Sequence, residues 1–252
     1  MIFESAVLFV AGLISMIYST FSGGGALLTL PALVLVGAAP ATAVAVNRFA
    51  IFVQSLVRFP FLHGKLNLGA KIPVVIVSAH TLGAILGAII LVNLESGVAL
   101  PVLGVILIIG ALVTMFSPKG IKAAEKKEIT FISILASSAC VFATGIYRGF
   151  FGPAAGIFNR LIFVHFLRLD FTQSLVLSNY GTILSSLAAL IIFFNSGIID
   201  FGLALPLTLG TVIGAFIGVR FALEKGNEFM KYAFVAISIV AGIYFIFSGL
   251  AI

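Results

Sequence analysis

The chain has 252 residues, of which 62% are hydrophobic and only 9% are charged. A soluble globular domain is roughly 45–50% apolar and about 25% charged, because charged side chains cover the surface that faces water. The composition therefore excludes an ordinary soluble protein and predicts an integral membrane protein that faces the lipid bilayer. The net charge of +6 is spread along the chain in no cluster typical of nucleic-acid binding, so we expect no nucleic-acid partner.

Eight apolar segments follow one another, each with the roughly 20 residues that a membrane-spanning helix needs. They fall at residues 5–36, 42–62, 72–92, 98–117, 129–167, 172–195, 203–221 and 229–249. Two of them are too long for one helix and contain glycines, at Ser22-Gly23-Gly24-Gly25 and between Gly149 and Gly156. Because glycine and proline interrupt helices, each long segment is either one broken helix or two limbs of a re-entrant hairpin.

The sequence repeats itself in two halves. Tyr18 and Gly23 recur 129 residues later as Tyr147 and Gly152. Further matches keep the same order along the chain: Asn47 with Asn179, Gly64 with Gly197, Pro73 with Pro206, and Gly83 with Gly214. We therefore predict one integrated membrane domain made of a first repeat at 1–117, a linker at 118–128 and a second repeat at 129–252.

The positive charges of the loops predict the orientation of the repeats, because short loops rich in Lys and Arg stay in the cytoplasm. If every segment crosses once, four of the ten loop charges lie outside. If both long segments are re-entrant, all ten lie inside: Lys65, Lys71, Lys119, Lys122, Lys126, Lys127, Arg168, Arg220, Lys225 and Lys231. The second arrangement gives inverted repeats, each a re-entrant or broken helical hairpin followed by three transmembrane helices. It places the linker in the cytoplasm of a cell-membrane protein and both termini outside.

The four remaining basic residues, Arg48, Arg58, Arg148 and Arg160, lie inside apolar segments, whereas every acidic residue lies at a segment end or in a loop. A charge at the bilayer centre costs about 2.5–3.5 kcal/mol on insertion scales, so a buried arginine needs a partner. With no carboxylate in the segments, the predicted partner is an anionic ligand. Arg48 and Arg58 have an alternative, since both are near enough to a helix end to snorkel, and contact of Arg58 or Arg160 with substrate stays open.

The predicted substrate site lies where the two hairpin tips meet two polar stripes. Backbone N–H groups are free where a helix begins after a glycine-rich break, and they attract anions. The candidate substrate-binding residues are Ser22, Gly23, Gly24, Gly25, Asn47, Arg48, Arg148, Gly152, Ser178 and Asn179. Hydrogen bonding between helices is the alternative for the serines and asparagines.

Nothing in the sequence indicates an enzyme, a metal or a cofactor. The sequence contains no Ser/His/Asp, HExxH or phosphate-binding loop motif. Cys140 is the single cysteine, so neither an internal disulfide nor a cysteine metal cluster is available. His80 and His165 are isolated, and we interpret them as packing residues, with proton carriage by a histidine as the alternative.

The chain resembles the sulfite exporter TauE/SafE family of membrane transporters. The similarity is carried by SGGGALLTLP at 22–31, by GIYRGFFGPAAGIF at 145–158, by the Ser178-Asn179 pair and by Gly210, Gly214 and Gly218. The resemblance implies transport of a small sulfur-containing anion, such as sulfite or an organosulfonate. The second break carries Ala154 and Ala155 where such sequences are often richer in glycine. A passive anion channel and a non-transporting membrane subunit in sulfur metabolism are the alternatives.

The predicted topology is testable with single cysteines placed in a Cys140→Ser background. We expect a membrane-impermeant thiol reagent to label cysteines at Glu4, Gly197 and Ile252 from outside and a cysteine at Lys122 only from the cytoplasm, because of the distribution of loop charges. Cytoplasmic labelling at Gly197 would contradict the inverted arrangement.

Overall fold

The computed structural model describes residues 2–22, 26–116, 129–221, 236 and 239–248, and every regular element in these ranges is an α-helix. In chain order these ten helices are Ile2–Ser22 (α1), Ala26–Leu35 (α2), Pro40–Leu62 (α3), Lys71–Val92 (α4), Ser96–Phe116 (α5), Phe131–Phe150 (α6), Ala155–Leu167 (α7), Phe171–Asn195 (α8), Phe201–Phe221 (α9) and Ile239–Ser248 (α10). Five of them, α3, α4, α6, α8 and α9, are long and apolar enough to cross a membrane. The prediction of an all-helical, multi-pass membrane protein is confirmed. The predicted linker at 118–128 lies outside the described residues.

Both long apolar segments are broken into pairs of unequal helices. The first helix of each pair, α1 or α6, has 21 or 20 residues, which at 1.5 Å per residue is about 30 Å and equals the thickness of the hydrocarbon core. The second helix, α2 or α7, has only 10 or 13 residues. The two helices of each pair contact each other. In each pair, therefore, one long and one short helix meet at a break.

The second break has a backbone conformation that explains its sequence. Gly152 has a φ of 80° and Ala154 a φ of 59°, both in the left-handed region. Glycine adopts this region freely, whereas a residue with a Cβ rarely does. Pro153 lies between them and cannot donate a helical hydrogen bond. The chain thus leaves α6 at Phe150 and starts α7 at Ala155.

Helices from the two halves of the sequence pack against one another in matched combinations. By the spacing of the repeats, α1, α3 and α4 correspond to α6, α8 and α9. The most extensive contacts join α4 to α6 and α1 to α9, which are equivalent pairs. The contacts of α4 with α8 and of α3 with α9 are equivalent in the same way, and α3 also contacts α8. Neither half therefore packs as a unit by itself.

Glycines permit the close approach of the two main pairs. A Cβ added at Gly83 or Gly87 of α4 would collide with the backbone of α6, at Phe142 or Ile146. A Cβ added at Gly145 or Gly149 of α6 would collide in turn with the α4 backbone. The equivalent α1/α9 pair contains Gly12, Gly210 and Gly214 in the same role. Small residues that bring backbones into contact are the usual basis of helix association in membranes, so each pair forms a tightly packed unit.

Replacement of Gly87 by alanine should destabilise the protein. The new methyl group has no space next to Ile146 and Phe150, and overpacking of this kind costs roughly 1–3 kcal/mol. The measurement is thermal unfolding of detergent-purified protein. Gly97→Ala is the matched control, since that glycine is also helical but has no atom within 4 Å of the added Cβ. Equal melting temperatures for the two variants would show that the backbones of α4 and α6 can separate enough to accept the added methyl group.

Candidate functional site

A polar cavity of about 70 Å³ lies between the two halves of the chain. A single water needs about 10–15 Å³ of such space, so the cavity can hold several waters or one small polyatomic anion. The lining residues are Ser15, Met16, Ser19, Ala26, Thr29, Asn47, Ile51, Gln54, Ser55, Arg58, Arg148, Gly152, Gly156, Arg160, Leu175, Ser178, Asn179, Thr182 and Thr211. They come from both broken helix pairs, from α3 and α8, and from α9.

Three arginines contribute to the cavity wall. Arg58 comes from α3, Arg148 from the end of α6, and Arg160 from α7. Each is at most 7% exposed, so none reaches the protein surface as a snorkelling side chain would. Arg58 and Arg160 lie close enough for their charges to repel each other. The cavity therefore concentrates positive charge inside the protein.

No acidic side chain offsets this charge in the part of the chain that the structure describes. Glu4 lies in the first turn of α1, and Glu95 lies between α4 and α5. Asp170 caps α8 by accepting a hydrogen bond from the Gln173 amide at 2.8 Å, and Asp200 accepts one from the Gly202 amide just before α9. None of the four lines the cavity. The prediction that the acids lie at helix ends holds for these four residues.

Two of the cavity arginines have donors that remain unused. Nη1 of Arg58 lies 3.4 Å from Oε1 of Gln54, but its Nη2 is buried without a hydrogen-bond partner among the described residues. The same is true of Nε of Arg148. A buried donor without a partner costs about 1–3 kcal/mol, and more when it is charged. Arg58 and Arg148 therefore retain donors that the described residues do not use.

Arg48 has a different position from the other three arginines. Its guanidinium donates a hydrogen bond to the backbone carbonyl of Arg148, where α6 ends at the second break. It lies beside Gly152, where an added Cβ would be 3.2 Å from Nη2 of Arg48. Arg48 is not among the residues that line the cavity. In this structure, therefore, it binds the backbone of the break directly behind the cavity wall.

Amide and hydroxyl groups complete the polar wall. The hydroxyl of Thr29 donates to Oδ1 of Asn47 at 2.7 Å, and both residues line the cavity. Nδ2 of Asn179 donates to the Ser55 carbonyl at 3.2 Å and so connects α8 to α3. Asn47 and Asn179 occupy equivalent positions in the two repeats, and both line the same cavity.

The breaks bring helix N-termini to the cavity. Ala26 is the first residue of α2, and Gly156 lies in the first turn of α7; both line the cavity. First-turn N–H groups lack partners within a helix, and the positive end of the helix dipole points the same way. The hydroxyl of Tyr147 donates to the Pro153 carbonyl at 2.5 Å and so fixes the loop between α6 and α7.

The structure brings together five of the predicted site residues: Asn47, Arg148, Gly152, Ser178 and Asn179. Arg48 contacts the break from behind the wall. Gly23, Gly24 and Gly25 lie outside the described residues, and so does the side chain of Ser22.

Several cavity residues were not predicted from the sequence. Arg58 and Arg160, whose contact with substrate was left open, line the cavity together with Ser15, Ser19, Thr29, Gln54 and Thr211. The repeat offered one way to predict a further cavity residue. Ser19 is equivalent to Arg148, and both residues line the cavity. The other hydroxyl residues have no distinguishing sequence pattern.

Comparison with known proteins agrees with this architecture. The family described as sulfite exporter TauE/SafE matches residues 7–245, which is nearly the whole chain. The chain belongs to the sulfite exporter TauE/SafE family. The resemblance seen in the break motifs is thereby confirmed, and the protein is a multi-pass membrane protein of a transporter family.

Several relatives have similar lengths and names. The chain is 26% identical to the probable membrane transporter protein YfcA of Escherichia coli (strain K12), over 93% of this chain and 86% of that protein. It is 28% identical to the probable membrane transporter protein ORF9 of Sinorhizobium sp, over 94% and 90% of the two chains. No solved structure matches the chain. These names agree with membrane transport and specify no substrate.

Loss of the Tyr147 hydroxyl should weaken the second break. Tyr147→Phe leaves the Pro153 carbonyl without its donor, and a stranded buried acceptor costs about 1–3 kcal/mol. We expect a lower melting temperature of the purified protein. Tyr244→Phe is the control, since Tyr244 is 57% exposed on α10. An unchanged melting temperature for Tyr147→Phe would show that the loop does not depend on this hydrogen bond.

Proposed function

We propose that the protein is a secondary transporter of a small sulfur-containing oxyanion, sulfite or an organosulfonate, in the cell membrane. The substrate binds in the cavity between the two breaks. The observation that carries the proposal is a cavity lined by three arginines and, among the residues that the structure describes, by no acidic side chain. A cation transporter would need the opposite charge balance.

The donor set suits an oxyanion that presents several acceptor oxygens. Guanidinium groups grip two oxygens at once, and their hydrogen bonds to an anion are roughly twice as strong as neutral ones. Arg58 and Arg148 both line the space that the anion enters. The side-chain amide of Asn47 and the backbone amide of Gly156, in the first turn of α7, supply further donors around the same space.

Matched packing between the halves supports the inverted-repeat arrangement. The α1/α9 and α4/α6 pairs are equivalent by sequence, and the site lies between the halves where both helix pairs break. Secondary transporters commonly place substrate between inverted repeats, next to broken helices at the middle of the membrane. With both termini outside and residues 118–128 in the cytoplasm, the positive loop charges then lie on one side.

Two alternatives make different predictions. A passive anion channel would conduct without saturation or counterflow, and a non-transporting membrane subunit would move no anion by itself. The buried charge of the cavity argues against the second, because a purely structural subunit gains nothing from arginines that cost energy to bury.

The test is uptake of radiolabelled sulfite into liposomes that contain the purified protein, with a screen of organosulfonates, thiosulfate, sulfate and chloride as competitors. We expect saturable uptake that is accelerated by unlabelled sulfite on the opposite side. Uptake that rises linearly with concentration, without counterflow, would favour a channel. No uptake of any screened anion would contradict transport of this class.

Arg148 should be required for substrate binding. Arg148→Gln removes the charge, and we expect binding of sulfite to weaken by roughly ten- to a hundredfold, which corresponds to the 1.5–3 kcal/mol of a hydrogen bond to a charged group. Arg148→Lys keeps the charge without the planar fork and should retain partial transport. Binding and melting temperature are measured on the same preparation.

Arg168→Gln is the matched control, since Arg168 is an exposed residue that caps the end of α7 outside the cavity. Normal sulfite affinity in a well-folded Arg148→Gln variant would remove Arg148 from the site.

A further inference from the structure

A second polar cluster, of which Thr144 is partly exposed, lies apart from the cavity and joins α4, α6 and α7. The hydroxyl of Thr144 donates to Oδ1 of Asn159 at 2.6 Å. Nδ2 of Asn159 lies 3.1 Å from Nε2 of His80 and completes a bridge across three helices. His80 and Asn159 are buried, and none of the three residues lines the cavity. The proposed transport site does not use this cluster.

The repeat relates this cluster to the cavity wall. Thr144 follows Ser15 by 129 residues, the same spacing as between Tyr147 and Tyr18. Thr211 follows His80 by 131 residues, the same spacing as between Gly214 and Gly83. Ser15 and Thr211 both line the cavity. Each half therefore has the same two polar positions. One set lines the cavity, while the other is bridged by Asn159.

The helices that carry these residues form the two glycine-packed pairs. Ser15 and Thr211 lie on α1 and α9, and Thr144 and His80 lie on α6 and α4. Because backbone contacts at glycines hold each pair together, we expect each to move as one body. The two bodies have equivalent sequences but different surroundings in this structure.

Asn159, the residue that bridges Thr144 and His80, is polar. Asn159 occupies the position equivalent to Leu30, which is fully buried and has no group that could form such a bridge. Thr144 and His80 are joined through the side-chain amide of Asn159. Such a bridge separates more easily than interdigitated apolar side chains, because each polar group can exchange its partner for water or an anion. The Thr144–Asn159–His80 bridge thus has the properties of a releasable contact.

We propose that Thr144 and His80 are substrate-facing residues in the opposite-facing state of the transport cycle, in which Asn159 releases them and Ser15 and Thr211 become covered. This inference rests on the proposed transport by inverted repeats. In such transporters, access alternates when one bundle rocks against the other around a fixed site. The hydroxyl of Thr144 and the imidazole of His80 then supply donors to the anion in place of the hydroxyls of Ser15 and Thr211.

Cysteine accessibility from the two sides of the membrane tests the proposal. Ser15→Cys, Thr211→Cys, Thr144→Cys and His80→Cys are made one at a time in a Cys140→Ser background. Each is labelled with an impermeant thiol reagent in right-side-out and inside-out vesicles, with and without sulfite. We expect the first two variants to react from one side and the last two from the other, with sulfite changing the two sets in opposite directions.

Labelling of Thr144→Cys and His80→Cys from the same side as Ser15→Cys, or from neither side, would overturn the proposal. This readout does not require transport of sulfite. A different outcome is that liposomes fail to transport sulfite while the two sets of cysteines still react from opposite sides. In that case the proposed substrate is wrong, but the proposed exchange of cavity-lining residues between the two states is supported.

A variant of the bridge provides an independent measurement. Asn159→Leu introduces the residue of the equivalent position in the first half, and we expect labelling of Thr144→Cys to rise by roughly two- to tenfold, the population shift from losing a bridging hydrogen bond. Labelling of Ser15→Cys should fall. Asn195→Leu, an exposed change at the end of α8, is the control and should alter neither rate. Unchanged rates in a folded Asn159→Leu protein would show that the bridge does not hold the covered state.

Discussion

The arrangement of this protein depends on the cost of holding guanidinium groups inside a membrane without carboxylates to neutralise them. Each such charge costs about 2.5–3.5 kcal/mol on insertion scales, and the structure reduces this cost in three ways. Arg48 donates to a backbone carbonyl at the end of α6, and Arg58 approaches the side-chain oxygen of Gln54. Arg58 and Arg148 also line a cavity that water or an anion can enter. The same cost explains why seven helices contribute residues to one cavity.

The helix breaks are part of the same solution. Irregular backbone at membrane depth is tolerated only where it is buried in protein or lines a cavity. At the second break both conditions hold: Tyr147 and Arg48 donate to the carbonyls of Pro153 and Arg148, and Gly152 lines the cavity. The glycine-packed pairs α1/α9 and α4/α6 contribute Ser15, Thr211 and Arg148 to the same cavity wall. Closely packed helix pairs and an irregular backbone segment thus meet at one site.

Sequence reasoning predicted the helices well because the bilayer limits their length and composition. The segment predicted at 42–62 is the helix Pro40–Leu62, and the one at 172–195 is Phe171–Asn195. The unequal limbs of the broken pairs were not predicted, since apolar composition does not show where within a long segment the chain turns. In the site, Asn47 and Asn179 were found through the repeat. Ser15 and Thr211 were missed because hydroxyl residues are common on membrane helices and these two meet only when α1 packs on α9.

The two repeats have the same helices and breaks, but the arginines that line the cavity are not repeated. The cavity arginines Arg148, Arg58 and Arg160 correspond to Ser19, Leu190 and Pro31 in the other half. If the arginines were repeated in both halves, six guanidinium groups would surround a cavity of about 70 Å³. In a low dielectric their mutual repulsion would be larger than the attraction that one small anion supplies. Equivalent neutral residues, by contrast, are retained on both sides, as with Asn47 and Asn179. Duplication therefore provides paired donors and breaks, whereas substitution at the equivalent positions limits the cavity to three guanidinium groups.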